Sequence, residues 1–338
     1  MKSFFLISIF SFSFLYSHLK TSHEDLVCRA AIDIGSGKIG ILVAEVNIKT
    51  NKIVRVLFSD IAKLPLRLSL EKTGAFNEEI QKNLFDILQE FKKKASAYYP
   101  QSYFAIATEA FRLSKNGKEV ADKIHEEFEI PVAIISQKEE GALGFLTAVN
   151  TAEIDPENAI VYDQGGGSFQ LTYKEGDSYI TYEGKVGKVV SKLKLLEIQN
   201  KDAAGSFSPN PVSITEAMQG VKWVQDQIAD IPETLLQKIK IDSFRVKGIG
   251  AHPQVLLTKQ ATYDIHHVSS HLEKMVDLTD ASIISTYPSI SSDFHTTALV
   301  ELILTYSVMD QFGIQTIDYV PTLGGNTSGL LISQKYWE

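Results

Sequence analysis

Cysteine is almost missing from this chain: Cys28 is the only one among 338 residues. A single thiol excludes an internal disulfide, and no Cys/His cluster has the spacing of a structural zinc site. Basic charge is also short, with 33 Lys and Arg against 41 Asp and Glu, a formal net charge of -8. Nucleic-acid phosphates reward basic surfaces, so general nucleic-acid binding is not expected. Any phosphate chemistry must therefore rest on a metal ion or on locally placed lysines. No coiled-coil repeat and no low-complexity tract interrupts the sequence.

At this length the chain has room for two domains of ordinary size. Its N-terminus differs from the rest: Lys2 precedes an apolar run from Phe4 to Tyr16 that ends at Ser17, before the polar residues His18 to Asp25. A basic start, an apolar core and a small residue are the layout of a secretory signal peptide. The run is short of the roughly 20 residues a stable membrane span needs. We therefore expect a cleaved signal over 1–17, with an uncleaved N-terminal anchor as the alternative, an exported protein with no stable membrane span after cleavage, and two domains over 29–150 and 151–338.

Hydrophobic patterning repeats across those two halves. Strand-like stretches Ala30 to Ile34, Ile39 to Val46 and Lys52 to Ser59 form an antiparallel start. Asn77 to Lys94 carries apolar residues at helical spacing, Tyr103 to Ala107 is a buried-type strand, Lys118 to Phe128 a helix, and Pro131 to Ile135 a strand before a helix near Glu139. The order restarts with strands Ala159 to Asp163, Phe169 to Lys174 and Ser178 to Glu183. Helical stretches follow at Val189 to Gln199, Ile214 to Ile228 and Ala298 to Phe312, with strands at Ser243 to Ile249 and Thr316 to Val320. A mixed sheet with an antiparallel start and helical crossovers, made twice, predicts an α/β architecture with a cleft between the halves. Asp202 to Pro211, rich in Gly, Ser and Pro, reads as a surface loop.

Two glycine turns sit at equivalent points. Asp163-Gln164-Gly165-Gly166-Gly167-Ser168 joins two strands in the second half, and Asp33-Ile34-Gly35-Ser36-Gly37-Lys38 does so in the first. Bare glycine turns expose backbone N–H groups that can take phosphate oxygens. An aspartate at the end of each preceding strand can hold Mg²⁺, directly or through water. Either turn alone is ordinary hairpin chemistry; the pair suggests two loops facing one site, with Asp33 and Asp163 as metal candidates. Arg112, in Ala107-Thr108-Glu109-Ala110-Phe111-Arg112, offers a planar fork for two phosphoryl oxygens. Glu139 and Glu140 open a helix, where carboxylates usually serve the helix dipole; one of them could instead take a proton from an attacking water. Lys185, Lys188, Lys192 and Lys194 read either as a solvated face or as cleft residues that offset the negative field. The pair His266 and His267 reads as structural.

These blocks, in this order, resemble the Ppx/GppA family of exopolyphosphatases and guanosine pentaphosphate phosphatases, a branch of the actin, sugar-kinase and chaperone ATPase fold. Ile135-Ser136-Gln137-Lys138-Glu139-Glu140-Gly141, Gly248-Ile249-Gly250, Tyr263-Asp264-Ile265-His266 and the terminal Leu323-Gly324-Gly325-Asn326-Thr327-Ser328-Gly329 extend the likeness over nearly the whole chain beyond the signal. The resemblance implies two duplicated ribonuclease H-like (actin-like ATPase) domains around an interdomain cleft. It makes Glu140 the general base and Arg112 a phosphate clamp. Asp33 and Asp163 organise Mg²⁺ or Mn²⁺, while Gly35, Ser36, Gly37 and Lys38 with Gly165, Gly166, Gly167 and Ser168 cradle phosphate. The implied substrate is polyphosphate or a phosphorylated nucleotide, and a homodimer is a candidate assembly. In-line phosphoryl transfer needs mainly positioning and charge neutralisation, which agrees with this residue set.

Three departures stand out. The family usually continues its first loop with Asn-Ser, where this chain has Gly37-Lys38. It usually carries glutamate after the second loop, where this chain has Gln170. Gly248-Ile249-Gly250-Ala251-His252 is less glycine-rich than expected. Ser168-Phe169-Gln170 and the run Glu140 to Asn150 are also similar to ecto-apyrases of the same fold, in which serine, glutamine and glutamate would hold the nucleophilic water. An apyrase-like nucleoside tri- and diphosphate hydrolase is thus one alternative, and a catalytically silent phosphate or nucleotide binder another.

Overall fold

Each half of the molecule is built on a sheet whose first three strands are antiparallel neighbours and whose later strands arrive by helical crossovers. The computed structural model describes residues 25–337 apart from 72, 202–207, 242, 258–260, 289 and 291–293; the signal over 1–17 and the 202–207 part of the loop lie outside the described residues. The first half runs β1 (Leu26–Ile34), β2 (Lys38–Asn47), β3 (Lys52–Lys63), α1 (Leu66–Ser69), α2 (Glu78–Ala95), β4 (Ser102–Ala107), α3 (Glu109–Leu113), α4 (Gly117–Phe128), β5 (Val132–Ile134) and α5 (Gln137–Ala152). The second runs β6 (Ala159–Gln164), β7 (Phe169–Glu175), β8 (Ser178–Gly184), α6 (Lys188–Ile198), α7 (Ile214–Asp226), α8 (Glu233–Ile239), β9 (Arg245–Gly250), α9 (Gln254–Leu257), β10 (Thr262–Asp264), α10 (Ile265–Met275), α11 (Asp280–Thr286), α12 (Ala298–Phe312), β11 (Thr316–Tyr319) and α13 (Thr327–Ile332).

The sheet orders are β3-β2-β1-β4-β5 and, read in the same sense, β8-β7-β6-β9-β11-β10. β1 pairs antiparallel with β2 and parallel with β4; β6 pairs antiparallel with β7 and parallel with β9. The second half thus repeats the first and adds the antiparallel edge strand β10. Parallel strands are buried on both faces, and β6 accordingly reads as an apolar run up to Asp163, while β1 does so from Ala30, after Arg29, up to Asp33.

Local chemistry sets the helix starts. Asn77 caps α2, Ser136 caps α5, Ser213 caps α7 and Asp264 caps α10, the last three as capping boxes. In the last of these His267 is the reciprocal partner, so one of the adjacent histidines has a structural role. α12 is buried almost all round and forms the centre of the second core with Leu299, Leu302, Ile303 and Met309. Among the described residues no helix is long and apolar enough to cross a membrane.

The two halves exchange a helix. α5 follows the last strand of the first sheet but packs on β6, β7 and β8, while α13, from the chain's end, packs on β1, β2 and β3; the two helices also pack on each other. Glycines permit these approaches. A Cβ at Gly141 would lie 2.5 Å from Thr172 Oγ1, and one at Gly329 would lie 2.1 Å from the Leu143 carbonyl oxygen. Trp337 donates to the Leu330 carbonyl at 2.6 Å and stacks under the Arg29 guanidinium, which holds the end of α13 against the first sheet. The exchange sends Glu140, on α5, and Asn326, at the entry to α13, towards the two aspartates.

Candidate active site

The two glycine turns have the same internal bond. Gly35 N–H donates to the Lys38 carbonyl at 3.0 Å, and Gly165 N–H donates to the Ser168 carbonyl at 2.9 Å. They also face each other: a Cβ at Gly166 would lie 3.5 Å from Ser36 Cβ and 3.9 Å from Gly37 N. The start of α6 braces the second loop, since Lys188 and Val189 N–H donate to the Gly165 and Gly166 carbonyls. Each loop therefore owes its shape to a strand on either side and a helix or turn behind it.

Asp33 and Asp163 end equivalent strands, and Asn326 bridges them. Its backbone N–H donates to Asp33 Oδ2 at 2.8 Å and its side-chain amide donates to Asp163 Oδ2 at 3.1 Å. Gly325, at φ +71°, lets the backbone come this close, because a Cβ there would lie 2.2 Å from Asp33 Oδ2. Burial raises the pKa of both carboxyls, that of Asp163 to about 6; Asn326 and Lys38 oppose the shift for each, and Asp33 adds to it for Asp163.

Glu140 is 8 % exposed and lies within the field of both aspartates. Its carboxylate accepts from Arg112 Nη1 at 2.9 Å, and the same nitrogen donates to the Ile135 carbonyl at 2.8 Å. Burial pushes its pKa up to about 8, against the pull of Arg112 and with help from Asp163 and Asp33. The neighbouring Glu139 behaves differently: it closes the capping box with Ser136 and pairs with Lys335. Of the two adjacent carboxylates, one serves the helix and the other turns inward.

Ser168 and Gln170 are both buried, and Gln170 Nε2 donates to Ser168 Oγ at 3.2 Å. Lys38 has an open surface yet sits deep enough between the halves that lost hydration lowers its pKa, opposed by Asp33, Asp163 and Glu301. Of the lysine run, Lys188 pairs at 3.0 Å with the fully buried Glu301, and Lys192 is depressed chiefly by burial. Lys194 pairs with Glu197 at 2.7 Å on the helix surface. Lys188, Lys192 and Lys194 lie on α6, where Lys194 also covers the Trp223 ring, and Lys185 precedes the helix.

A divalent cation fits this set. Asp33 Oδ1 is buried and has no hydrogen-bond partner; Asp33 raises the pKa of Asp163, and both aspartates raise that of Glu140. Hard oxygen donors of this kind suit Mg²⁺ or Mn²⁺ held partly through water. Among the described residues no group of three Asp, Glu, His or Cys is placed to hold a metal ion by protein ligands alone.

Three residues near the site were not singled out by sequence reasoning. Asn326 lay in the terminal glycine block but carried no assigned role. Glu109 lay between Thr108 and Arg112, and its carboxylate accepts from Ser36 Oγ at 2.6 Å and from Arg67 Nε at 3.2 Å. Arg67 had no local signal, since it follows the irregular exit from β3.

The model of the Ppx/GppA phosphatase family matches residues 43–274. Among solved structures, a Ppx/GppA family member from Aquifex aeolicus is 18% identical with a TM-score of 0.71, covering 92% of this chain and 98% of its own. An exopolyphosphatase from Cytophaga hutchinsonii is 16% identical with a TM-score of 0.70, covering 90% and 96% respectively. At these identities the structural likeness carries the fold: two duplicated actin-like ATPase domains in one α/β molecule.

Proposed function

Because the chain belongs to the Ppx/GppA phosphatase family, whose exopolyphosphatase-like enzymes hydrolyse phosphoanhydride bonds, we propose a Mg²⁺- or Mn²⁺-dependent hydrolase acting on polyphosphate or guanosine pentaphosphate through Glu140. The carrying observation is that Glu140 is buried beside Asp33 and Asp163, paired with Arg112, on a helix donated from the other half. In this reading the facing loops hold the terminal phosphate by backbone N–H groups, with Ser36, Ser168 and Lys38 adding donors. Asp33 and Asp163 would hold the cation, which supplies charge neutralisation for the phosphoryl oxygens. Glu140 accepts the proton of the water that attacks phosphorus in line, and Arg112 orients its carboxylate. Neighbouring negative charge helps to keep the Glu140 carboxyl protonated, so neutralising the aspartates readies it as a base.

Phosphate release from polyphosphate, guanosine pentaphosphate, ATP and ADP, compared between wild type and Glu140→Gln with Mg²⁺, Mn²⁺ and chelator, tests the reading. No turnover of any substrate with either metal would overturn it. The bond from Gln170 to Ser168 supports the apyrase-like alternative, in which that pair holds the water; preference for ATP and ADP over polyphosphate would select it. Tight binding without hydrolysis would select a silent binder. Export through the N-terminal signal is part of the proposal, and full-length protein retained in the cytosolic fraction would refute it.

A further inference from the structure

Glu109 takes no part in the chemistry above, yet its carboxylate stands between the two loops. Ser36 Oγ, from the first loop, donates to its Oε2 at 2.6 Å, and Arg67 Nε donates to its Oε1 at 3.2 Å. On the other side is Gly167: a Cβ there would lie 2.1 Å from Glu109 Oε2 and 2.2 Å from its Cδ. The carboxylate therefore lies against the bare backbone of the second loop while bonded to the hydroxyl of the first, and its side chain is 13% exposed. A hydroxyl, a guanidinium and a glycine-loop backbone are the groups that phosphate oxygens seek. Here a protein anion occupies them.

We propose that Glu109 is an internal competitor for the phosphate site: its carboxylate holds the anion position between Ser36 and Gly167 in the ligand-free enzyme and must leave as a phosphoryl group arrives. This rests on the reading that the two loops cradle phosphate. Two anions cannot share the position, because like charges a few ångströms apart in a partly buried cleft repel strongly. The step exchanges one anion for another and breaks no covalent bond. When Glu109 swings away, Ser36 Oγ is freed to donate to phosphate, and Arg67 stays in place through its second partner, Glu71. Glu109 thereby sets substrate affinity and, on the return stroke, helps expel the product. A purely structural clamp would act in the opposite sense, since loosening it would disorder the loops and weaken phosphate binding.

Calorimetric titration of inorganic phosphate into the full chain with MgCl₂ distinguishes these roles, using wild type, Glu109→Gln and Glu109→Ala. Phosphate is a product and needs no turnover, so the result does not depend on the role of Glu140. Both neutral variants should bind phosphate more tightly, by about tenfold in Kd, the equivalent of 1.4 kcal/mol. Steady-state assays should show a matching fall in the phosphate inhibition constant. An unchanged or weaker Kd in both variants overturns the competitor role while leaving the phosphate site intact. Failure of all three proteins to bind phosphate overturns the competitor and the phosphate reading of the loops together.

Discussion

Replacing Glu140 by glutamine separates the demands of catalysis from those of folding. The carboxyl carries a pKa near 8 in the folded protein against 4.5 for an ordinary glutamate, with burial the largest cause. At pH 7 an unfolded glutamate is ionised over roughly 2.5 pH units of range that the folded one resists, which at 1.36 kcal/mol per unit costs the metal-free fold about 3 kcal/mol. Glutamine removes that penalty and can still accept from Arg112 through its amide oxygen. Meanwhile the loss of a general base lowers turnover by roughly 10²- to 10⁴-fold. Glu140→Gln should therefore melt several degrees higher than wild type in chelator at pH 7 while losing nearly all phosphate release with Mg²⁺. Differential scanning calorimetry and a phosphate-release assay on the same preparations read the two effects. A variant that is less stable than wild type without metal, or that keeps wild-type kcat, would refute the reasoning.

The same shifts set a pH dependence. Glu140 and Asp163 have folded pKa values raised above their unfolded ones, so the stability they permit is full in acid and is lost as pH rises through about 6 and then about 8. His252, buried and lowered to about 4, acts oppositely below neutrality; together they make the chelated protein less stable at pH 9 than at pH 6 by about 2 kcal/mol, and thermal melts with added Mg²⁺ should narrow the difference. Gly325→Ala would drive a Cβ into Asp33 from a positive-φ position. It should raise the Mg²⁺ concentration needed for half-maximal activity by tenfold or more on the order expected for a disturbed ligand environment. Gly141→Ala should lower the melting temperature despite better helix propensity, because crowding Thr172 and Thr181 costs about 1–3 kcal/mol, and should reduce kcat by moving Glu140; a variant as stable and active as wild type would count against the helix-exchange account.

Much of the fold was legible because its signals are local and periodic. The antiparallel strands at the start of each half, the amphipathic α2 and α4 and the apolar α12 were each marked by spacing within a dozen residues. The aspartates and both glycine turns were legible for a similar reason, since strand, carboxylate and glycine follow one another in the chain. The missed helices α1, α3, α8, α9, α11 and α13 are at most seven residues long; α10 is longer and amphipathic behind a capping box, a signal that was there to be read.

The sequence by itself determined the duplicated α/β plan, the two loops, and which aspartates end the central strands. The residue pattern left the Glu139 and Glu140 pair open and the family resemblance named Glu140; the tertiary structure supplies the physical reason, because which carboxylate turns inward depends on α5 packing against the sheet of the opposite half. Only it brought Asn326 to both aspartates across 293 and 163 positions of chain, and only it set Glu109 against Gly167 between the loops. These contacts join residues far apart in sequence, and their geometry comes from how the two halves dock rather than from any pattern along the chain.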